Sequence, residues 1–147
     1  PPTEIYTGTT SSAASDVYKR QILNWLNHMS ESVKQRDLDT HMGLVSRKVQ
    51  VYGIPNQESL GYADWQRRRR NEFEQNRLAS LTYSDMKIKT ITLRRLGFEI
   101  TEIMQANTGQ KIHIDKEIIL EQESDNQWRV VEETIKHWHH IKNQEAQ

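Results

Sequence analysis

Residues 86–137 read MKIKTITLRRLGFEITEIMQANTGQKIHIDKEIILEQESDNQWRVVEETIKH, and this stretch decides the fold class. It contains four long segments rich in Ile, Thr and Val, which predict the strands Met86–Leu93, Phe98–Ala106, Lys111–Glu121 and Gln127–His137. Turn signals separate them at Arg95-Leu96-Gly97, Asn107-Thr108-Gly109 and Ser124-Asp125-Asn126. Short turns between long strands predict an antiparallel meander.

The chain before this stretch predicts three helices and one strand. Apolar residues at Ile22, Leu26, Met29 and Val33 recur at spacings of four, three and four, which is typical of one face of an amphipathic helix. The predicted elements are a helix over 22–36, a short helix from Leu38 to about Val45 capped by Asp37, a strand over 48–54, and a helix from Tyr62 to about Leu78. We therefore predict an α+β fold, a cone-like curved antiparallel sheet wrapped around helices, with an internal pocket open at one end.

Composition excludes several function classes. The 147 residues correspond to one domain, and 20 Lys and Arg balance 20 Asp and Glu, so no bulk charge attracts nucleic acid or an anionic membrane. The absence of cysteine excludes disulfide frameworks, thiolate zinc sites and thiol nucleophiles. No apolar run approaches the roughly 20 residues that a membrane helix needs.

The first 21 residues differ in composition from the rest, being rich in Thr, Ser and Ala. Residues 11–21, SSAASDVYKRQ, resemble the translation of an adapter used in transposase-based DNA sequencing libraries, and residues 3–7 resemble the translated flow-cell end of that adapter. We therefore expect residues 1–21 to be a non-native or disordered leader and residues 22–147 to be the domain. On this interpretation the native N-terminus and any signal peptide are missing, so the location is left unknown, with the cytoplasm favoured over the periplasm.

Four motifs, in this order and spacing, resemble the nuclear transport factor 2-like superfamily in its bacterial SnoaL-like branch. They are Arg36-Asp37-Leu38-Asp39, Val49-Gln50-Val51-Tyr52-Gly53, Tyr62-Ala63-Asp64-Trp65, and Gln127-Trp128-Arg129-Val130-Val131-Glu132-Glu133. The resemblance spans residues 22–140 and implies the cone-like, cystatin-like fold and a homodimer formed through the open sheet face. The superfamily includes isomerases, dehydratases, polyketide cyclases, transport adaptors and oligomerisation modules, so the fold alone does not decide the function. The catalytic Asp/Tyr, Asp/His and Asp-Arg-Asp sets of its enzymes do not map onto this chain residue by residue.

Arg69 is the most conspicuous candidate for a ligand contact. It belongs to a run of four arginines, Arg67–Arg70, which together cover about 300° of the helix surface. It falls on the face formed by Tyr62, Trp65, Arg69, Phe73 and Asn76. A guanidinium there needs an acceptor, because burying it alone is costly. The favoured partner is internal, such as Glu72 or a strand carboxylate; the alternative is a ligand carboxylate or carbonyl held bidentately. A nucleic-acid patch is disfavoured, since no aromatic residues interleave with the basic ones.

Three polar residues lie on strands that should line the cone: Glu102, His113 and Glu133. For Glu102 and Glu133, we favour side chains that point outward and are solvated. The alternative is an acid/base site in which a buried Glu133 accepts a proton, or pairs with His113, because desolvation raises the pKa of a carboxylate. His137-Trp138-His139-His140 is interpreted as a surface or interface cluster rather than a metal site.

The leading hypothesis is a dimeric small-ligand-binding or accessory domain. Its predicted ligand-binding residues are Arg69, Trp65, Tyr52, Phe73 and Asn76. The second hypothesis is a lyase or isomerase that uses Glu133 or His113 for proton transfer. The third is a homodimeric interaction module whose pocket is filled by its own side chains. We expect no cofactor, no metal, and no nucleic-acid or membrane partner.

Overall fold

Helices on one side of a curved sheet make up the part of the chain that the structure describes. The computed structural model describes residues 12–142, with side chains from residue 16. Its helices are α1 (Ser12–Lys34), α2 (Leu38–Met42) and α3 (Tyr62–Glu74). Its strands are β1 (Val45–Tyr52), β2 (Leu78–Thr92), β3 (Arg95–Ala106), β4 (Lys111–Gln122) and β5 (Trp128–Ile141).

The strands form one sheet in the order β1-β5-β4-β3-β2. The predicted antiparallel meander is confirmed for β2 to β5. Register shifts interrupt the β2–β3 and β4–β5 ladders, and such irregularities bend strands. The α+β class is therefore confirmed. The sheet is mixed rather than purely antiparallel, because β1 pairs with β5 in the parallel direction.

Several predicted boundaries differ from the structure. The helix α1 begins at Ser12, so residues 12–21 of the predicted leader are helical here, and Tyr18 packs in part against the core. Residues 1–11 lie outside the described part of the chain, and the non-native origin of the leader stays a prediction. The helix α3 ends at Glu74, because Asn76 has a positive φ of 54° that a helix cannot continue. The strand β2 begins at Leu78, well before the predicted Met86.

The core lies between the helices and the concave face of the sheet. Its larger cluster joins α1 to the sheet through residues that include Ile22, Trp25, Met29, Phe98 and Ile118. A smaller cluster consists of Val33, Phe73, Leu78 and Leu81 and lies where α1, α3 and β2 meet. Burial of Leu78 and Leu81 in this cluster explains why β2 starts early. Within residues 12–142, no helix is both long and apolar enough to cross a membrane.

Candidate functional site

A cavity of about 180 Å³, which we call the inner cavity, lies between α3 and the concave face of the sheet. Its apolar wall includes Val51, Leu60, Trp65, Met104, Ile114 and Ile135. Its polar wall consists of Arg68, Arg69, Glu72, Glu102, Lys116 and Glu133. The inner cavity therefore combines apolar side chains with several charged groups, and small-molecule sites likewise combine apolar walls with placed polar groups.

Three strand residues of the polar wall form what we call the buried trio: Glu102, Lys116 and Glu133. Side chains alternate between faces along a strand, so Lys116 follows Ile114 onto the concave face of β4. Lys116 Nζ lies 3.1 Å from Glu102 Oε1 on β3 and 3.0 Å from Glu133 Oε1 on β5. All three side chains are buried, so water screens this charge cluster only weakly.

The protonation states of the trio follow from its geometry. Burial alone lowers the pKa of Lys116, but the carboxylates of Glu102 and Glu133 outweigh burial and leave this pKa raised. Burial alone raises the pKa of Glu102, but Lys116 and Arg69 outweigh it and leave that pKa lowered. Lys116 is thus an ammonium and Glu102 a carboxylate at neutral pH. Tyr83 stays a neutral phenol, since burial and the nearby carboxylates raise its pKa well above its ordinary value.

One oxygen of the trio, Glu102 Oε1, has no hydrogen-bond partner within the described part of the chain. Lys116 Nζ forms an ion pair with this oxygen at 3.1 Å, and its hydrogen bond goes to Glu133 Oε1. The inner cavity therefore contains a carboxylate oxygen whose charge Lys116 compensates and which can still accept a hydrogen bond.

Arg69 projects from α3 into the polar wall and is 8% exposed. Its Nη1 donates to Glu72 Oε1 at 2.8 Å, as the internal-partner interpretation predicts. Its Nε donates to His41 Nε2 at 3.3 Å. Burial lowers the pKa of Arg69, but Glu72 and Glu102 outweigh burial and leave it raised. Whether Arg69 also contacts a ligand stays a prediction.

His41, which the sequence analysis did not single out, connects the three helices. Its Nε2 lies 3.1 Å from Trp65 Nε1 and also accepts from Arg69, and both of these groups can only donate. The ring proton is therefore assigned to Nδ1, which donates to Ser32 Oγ. The sequence feature that could have identified His41 is its position three residues after Leu38. In a helix this spacing places both side chains on the same face.

Lys116 was also missed, because Asp115-Lys116-Glu117 interrupts the apolar pattern of β4. The sequence feature that could have identified Lys116 is the alternation of side chains along β4. This alternation places Lys116 on the concave face together with Ile114, Ile118 and Leu120, and all four are buried. The favoured interpretation of Glu102 and Glu133 as outward, solvated side chains is wrong. They are 2% and 5% exposed, because Lys116 neutralises part of their charge inside the cone.

The predicted ligand-binding residues separate into two groups in the structure. Trp65 and Arg69 line the inner cavity. Tyr52 does not, because alternation along β1 places it opposite Val51, and it is 40% exposed. Phe73 lies in the smaller core cluster, and its ring forms a T-shaped pair with the ring of His41. Asn76 is exposed in the turn after α3, where its side chain contacts Arg36 and Asn107.

His113 lies outside the inner cavity, which corrects the predicted pairing with Glu133. It is one residue before Ile114 on β4 and therefore points to the opposite face of the sheet. There it contacts Asp115 at 2.9 Å and stacks on His139, with ring centroids 4.7 Å apart. Across residues 12–142, no three His, Asp or Glu side chains are grouped so that they could hold a metal ion.

A second depression of about 580 Å³, which we call the outer groove, adjoins the inner cavity. The two share Leu60, Arg68, Glu72 and Met104. The outer groove is lined mainly by polar side chains, among them Arg67, Asn71, Arg77, Gln110 and His140. The two depressions therefore meet along these four residues.

Comparison with known proteins gives the fold and no closer relation. No protein-family profile and no curated sequence matches the chain. A candidate scytalone dehydratase from Novosphingobium aromaticivorans superimposes with a TM-score of 0.67 at 10% identity, over 91% of this chain and 94% of that one. A nuclear transport factor 2-like protein from Cytophaga hutchinsonii gives a TM-score of 0.64 at 12% identity, over 80% of this chain and 96% of that one. A Nostoc punctiforme protein of unknown function with a cystatin-like fold gives a TM-score of 0.63 at 9% identity, over 81% of this chain and 90% of that one.

Proposed function

We propose that this domain binds a small organic molecule in the inner cavity. The observation that carries the proposal is Glu102 Oε1, an ionised oxygen in the wall of the inner cavity that is buried and ion-paired with Lys116 but has no hydrogen-bond donor. A bound molecule that donates a hydrogen bond would supply the donor that this oxygen lacks. The outer groove adjoins this cavity. The open volume of the inner cavity supports ligand binding over a module whose pocket is filled by its own side chains.

A lyase or isomerase is the second candidate, because Glu133 lines the inner cavity as that hypothesis requires. The protonation states make Glu102 and Lys116 poor candidates for proton transfer. A catalytic base or acid works best with a pKa near the operating pH. Here the pKa of Glu102 is lowered and that of Lys116 is raised, so both groups are moved away from neutrality. The scytalone dehydratase candidate shares the fold alone at 10% identity, so its name adds little weight to the enzyme hypothesis.

The finer assignment to the SnoaL-like branch is part of this proposal. It is supported by the four sequence motifs and by the nuclear transport factor 2-like neighbours. A homodimer is proposed with it. The exposed apolar side chains Trp138 and Ile141 near the end of β5 are consistent with a surface that another chain covers. Analytical ultracentrifugation tests the homodimer separately from ligand binding. A monomer that still binds a ligand would contradict the dimer and leave the binding function in place.

A thermal-shift screen with small cyclic alcohols, ketones, amines and carboxylic acids tests ligand binding. A ligand at a hundredfold excess over its Kd stabilises the folded state by about 2.7 kcal/mol. For a domain of this size, that raises Tm by several degrees. Ile135→Phe adds bulk to the cavity wall and should abolish the shift.

The matched control is Leu93→Phe, which places the same aromatic ring at a side chain that is 55% exposed and outside the inner cavity. It should leave the shift unchanged. Equal shifts in both variants would place binding elsewhere and contradict the proposal. Turnover of a bound compound that disappears in Glu133→Gln, while binding persists, would favour the enzyme.

A further inference from the structure

We infer that the inner cavity selects a neutral, single-ring alcohol or phenol whose hydroxyl donates a hydrogen bond to Glu102 Oε1. This inference rests on the proposed function and narrows the class of ligand. Three properties of the inner cavity support it: its charge, its hydrogen-bonding groups and its size.

The charge of the polar wall favours a neutral ligand. Glu72, Glu102 and Glu133 contribute three carboxylates, and Arg68, Arg69 and Lys116 contribute three cations. Glu72 pairs with Arg69, and Glu102 and Glu133 pair with Lys116. A ligand carboxylate or ammonium would add a net charge to a wall whose own charges balance, and it would have to lose its hydration on entry. A neutral ligand avoids both costs.

The hydrogen-bonding groups of the wall match a hydroxyl. Glu102 Oε1 needs a donor. The ammonium of Lys116 has three N–H donors, and its recorded hydrogen bond to Glu133 uses one of them. A hydroxyl both donates and accepts, so one group could donate to Glu102 and accept from Lys116. A ketone or an ether only accepts, and it would leave Glu102 Oε1 without a hydrogen-bond donor.

The size and walls of the inner cavity match one ring. An apolar protein cavity of about 150 Å³ is large enough to bind benzene, and the inner cavity measures about 180 Å³. Its apolar lining includes Trp65, Leu60, Met104 and Ile114. A ring that bears one or two small substituents would fill this space, with its hydroxyl directed toward the polar wall.

Isothermal titration of the full chain with a set of single-ring probes tests the inference. The probes are phenol and cyclohexanol, which carry the donor, anisole, which lacks it, and benzoate and benzylamine, which carry charge. Phenol should bind roughly tenfold or more tightly than anisole, because a hydrogen bond to a charged acceptor is worth at least that factor. Cyclohexanol should also bind, and both charged probes should bind more weakly than phenol.

Two variants locate the selectivity. Glu102→Gln keeps the shape of the side chain but removes its charge, so the ratio of phenol to anisole affinity should fall toward one. Glu117→Gln is the matched control, because Glu117 lies on the opposite face of the sheet and pairs weakly with Lys136. It should leave the ratio unchanged. The comparison of probe affinities for the wild-type protein needs no variant. It therefore tests the hydroxyl inference even if Glu102→Gln fails to fold.

The outcomes separate this inference from the proposed function. Tighter binding of benzoate, benzylamine or anisole than of phenol, blocked by Ile135→Phe, overturns the hydroxyl inference and keeps the binding function. Binding of none of these probes overturns the inference, and failure of the wider screen overturns the binding function as well.

Discussion

His41 connects Ser32 of α1 with Trp65 and Arg69 of α3 through one ring. Its side chain is completely buried, and burial together with the nearby Arg69 lowers its pKa well below 6.5. A proton on Nε2 would remove the acceptor that both Trp65 and Arg69 use. The folded protein therefore holds this ring neutral.

Stability should fall as the pH drops below about 6.5, because unfolded His41 takes up a proton there while the folded ring does not. The contribution of this residue approaches about 1.4 kcal/mol per pH unit until the lowered pKa of the folded state is reached. Urea unfolding between about pH 7.5 and pH 5.5 measures the slope. His41→Phe should be less stable at pH 7.5 and should show a smaller slope; an unchanged slope would contradict the assignment.

We expect the stability of the folded protein to depend on Lys116, because it is the cation shared by the two buried glutamates. Lys116→Met leaves two carboxylates buried without their shared cation, and removal of one partner from a buried ion pair costs about 3–5 kcal/mol. The variant that also carries Glu102→Leu and Glu133→Leu should recover most of this loss, since apolar side chains need no partner. Urea unfolding measures both. A single Lys116→Met change within 1 kcal/mol of wild type would show that the trio is not buried as described.

At the scale of elements, the junction after β1 depends on Gly53. Its φ is +89°, in the region that favours glycine. A Cβ here would collide with the backbone carbonyl of Ile135 on β5. Gly53 therefore permits the close approach of the end of β1 to the strand that carries Glu133.

Gly53→Ala should destabilise the domain by about 3 kcal/mol or more, because backbone strain and a collision with β5 add together. Gly109 is the matched control: its φ is +93°, but nothing lies within 4 Å of the position of its Cβ. Gly109→Ala carries the strain alone and should cost about 1–2 kcal/mol. Chemical denaturation of the two variants compares them. Equal losses would mean that the contact with β5 is unimportant.

At the scale of the whole molecule, the core begins at Ile22. The described side chains before it are exposed or half-buried, and Tyr18 is the one that packs against the core. A chain of residues 22–147 should therefore fold and lose only about 1–2 kcal/mol, mainly the apolar burial of Tyr18. Circular dichroism and urea unfolding measure this. Failure to fold would show that residues 1–21 belong to the domain.

The sequence predicted the meander and the face of α3 well, because local periodicity reports which side chains share a face. Trp65 and Arg69 were found in this way, and both line the inner cavity. Tyr52 was misplaced because alternation on β1 puts it opposite Val51. Glu102 and Glu133 were assigned to solvent because each was considered alone, without the lysine between them.

The sequence by itself therefore determined the α+β class, the four-stranded meander and the helix that carries Arg69. Only the tertiary structure decided that β1 runs parallel to β5, that Glu102 and Glu133 face a common lysine, and that His41 lies beneath Arg69. The physical reason is that periodicity is a local property, whereas burial of a charge is favourable only when its partner arrives from a distant part of the chain. The charge of the inner cavity depends on such partners.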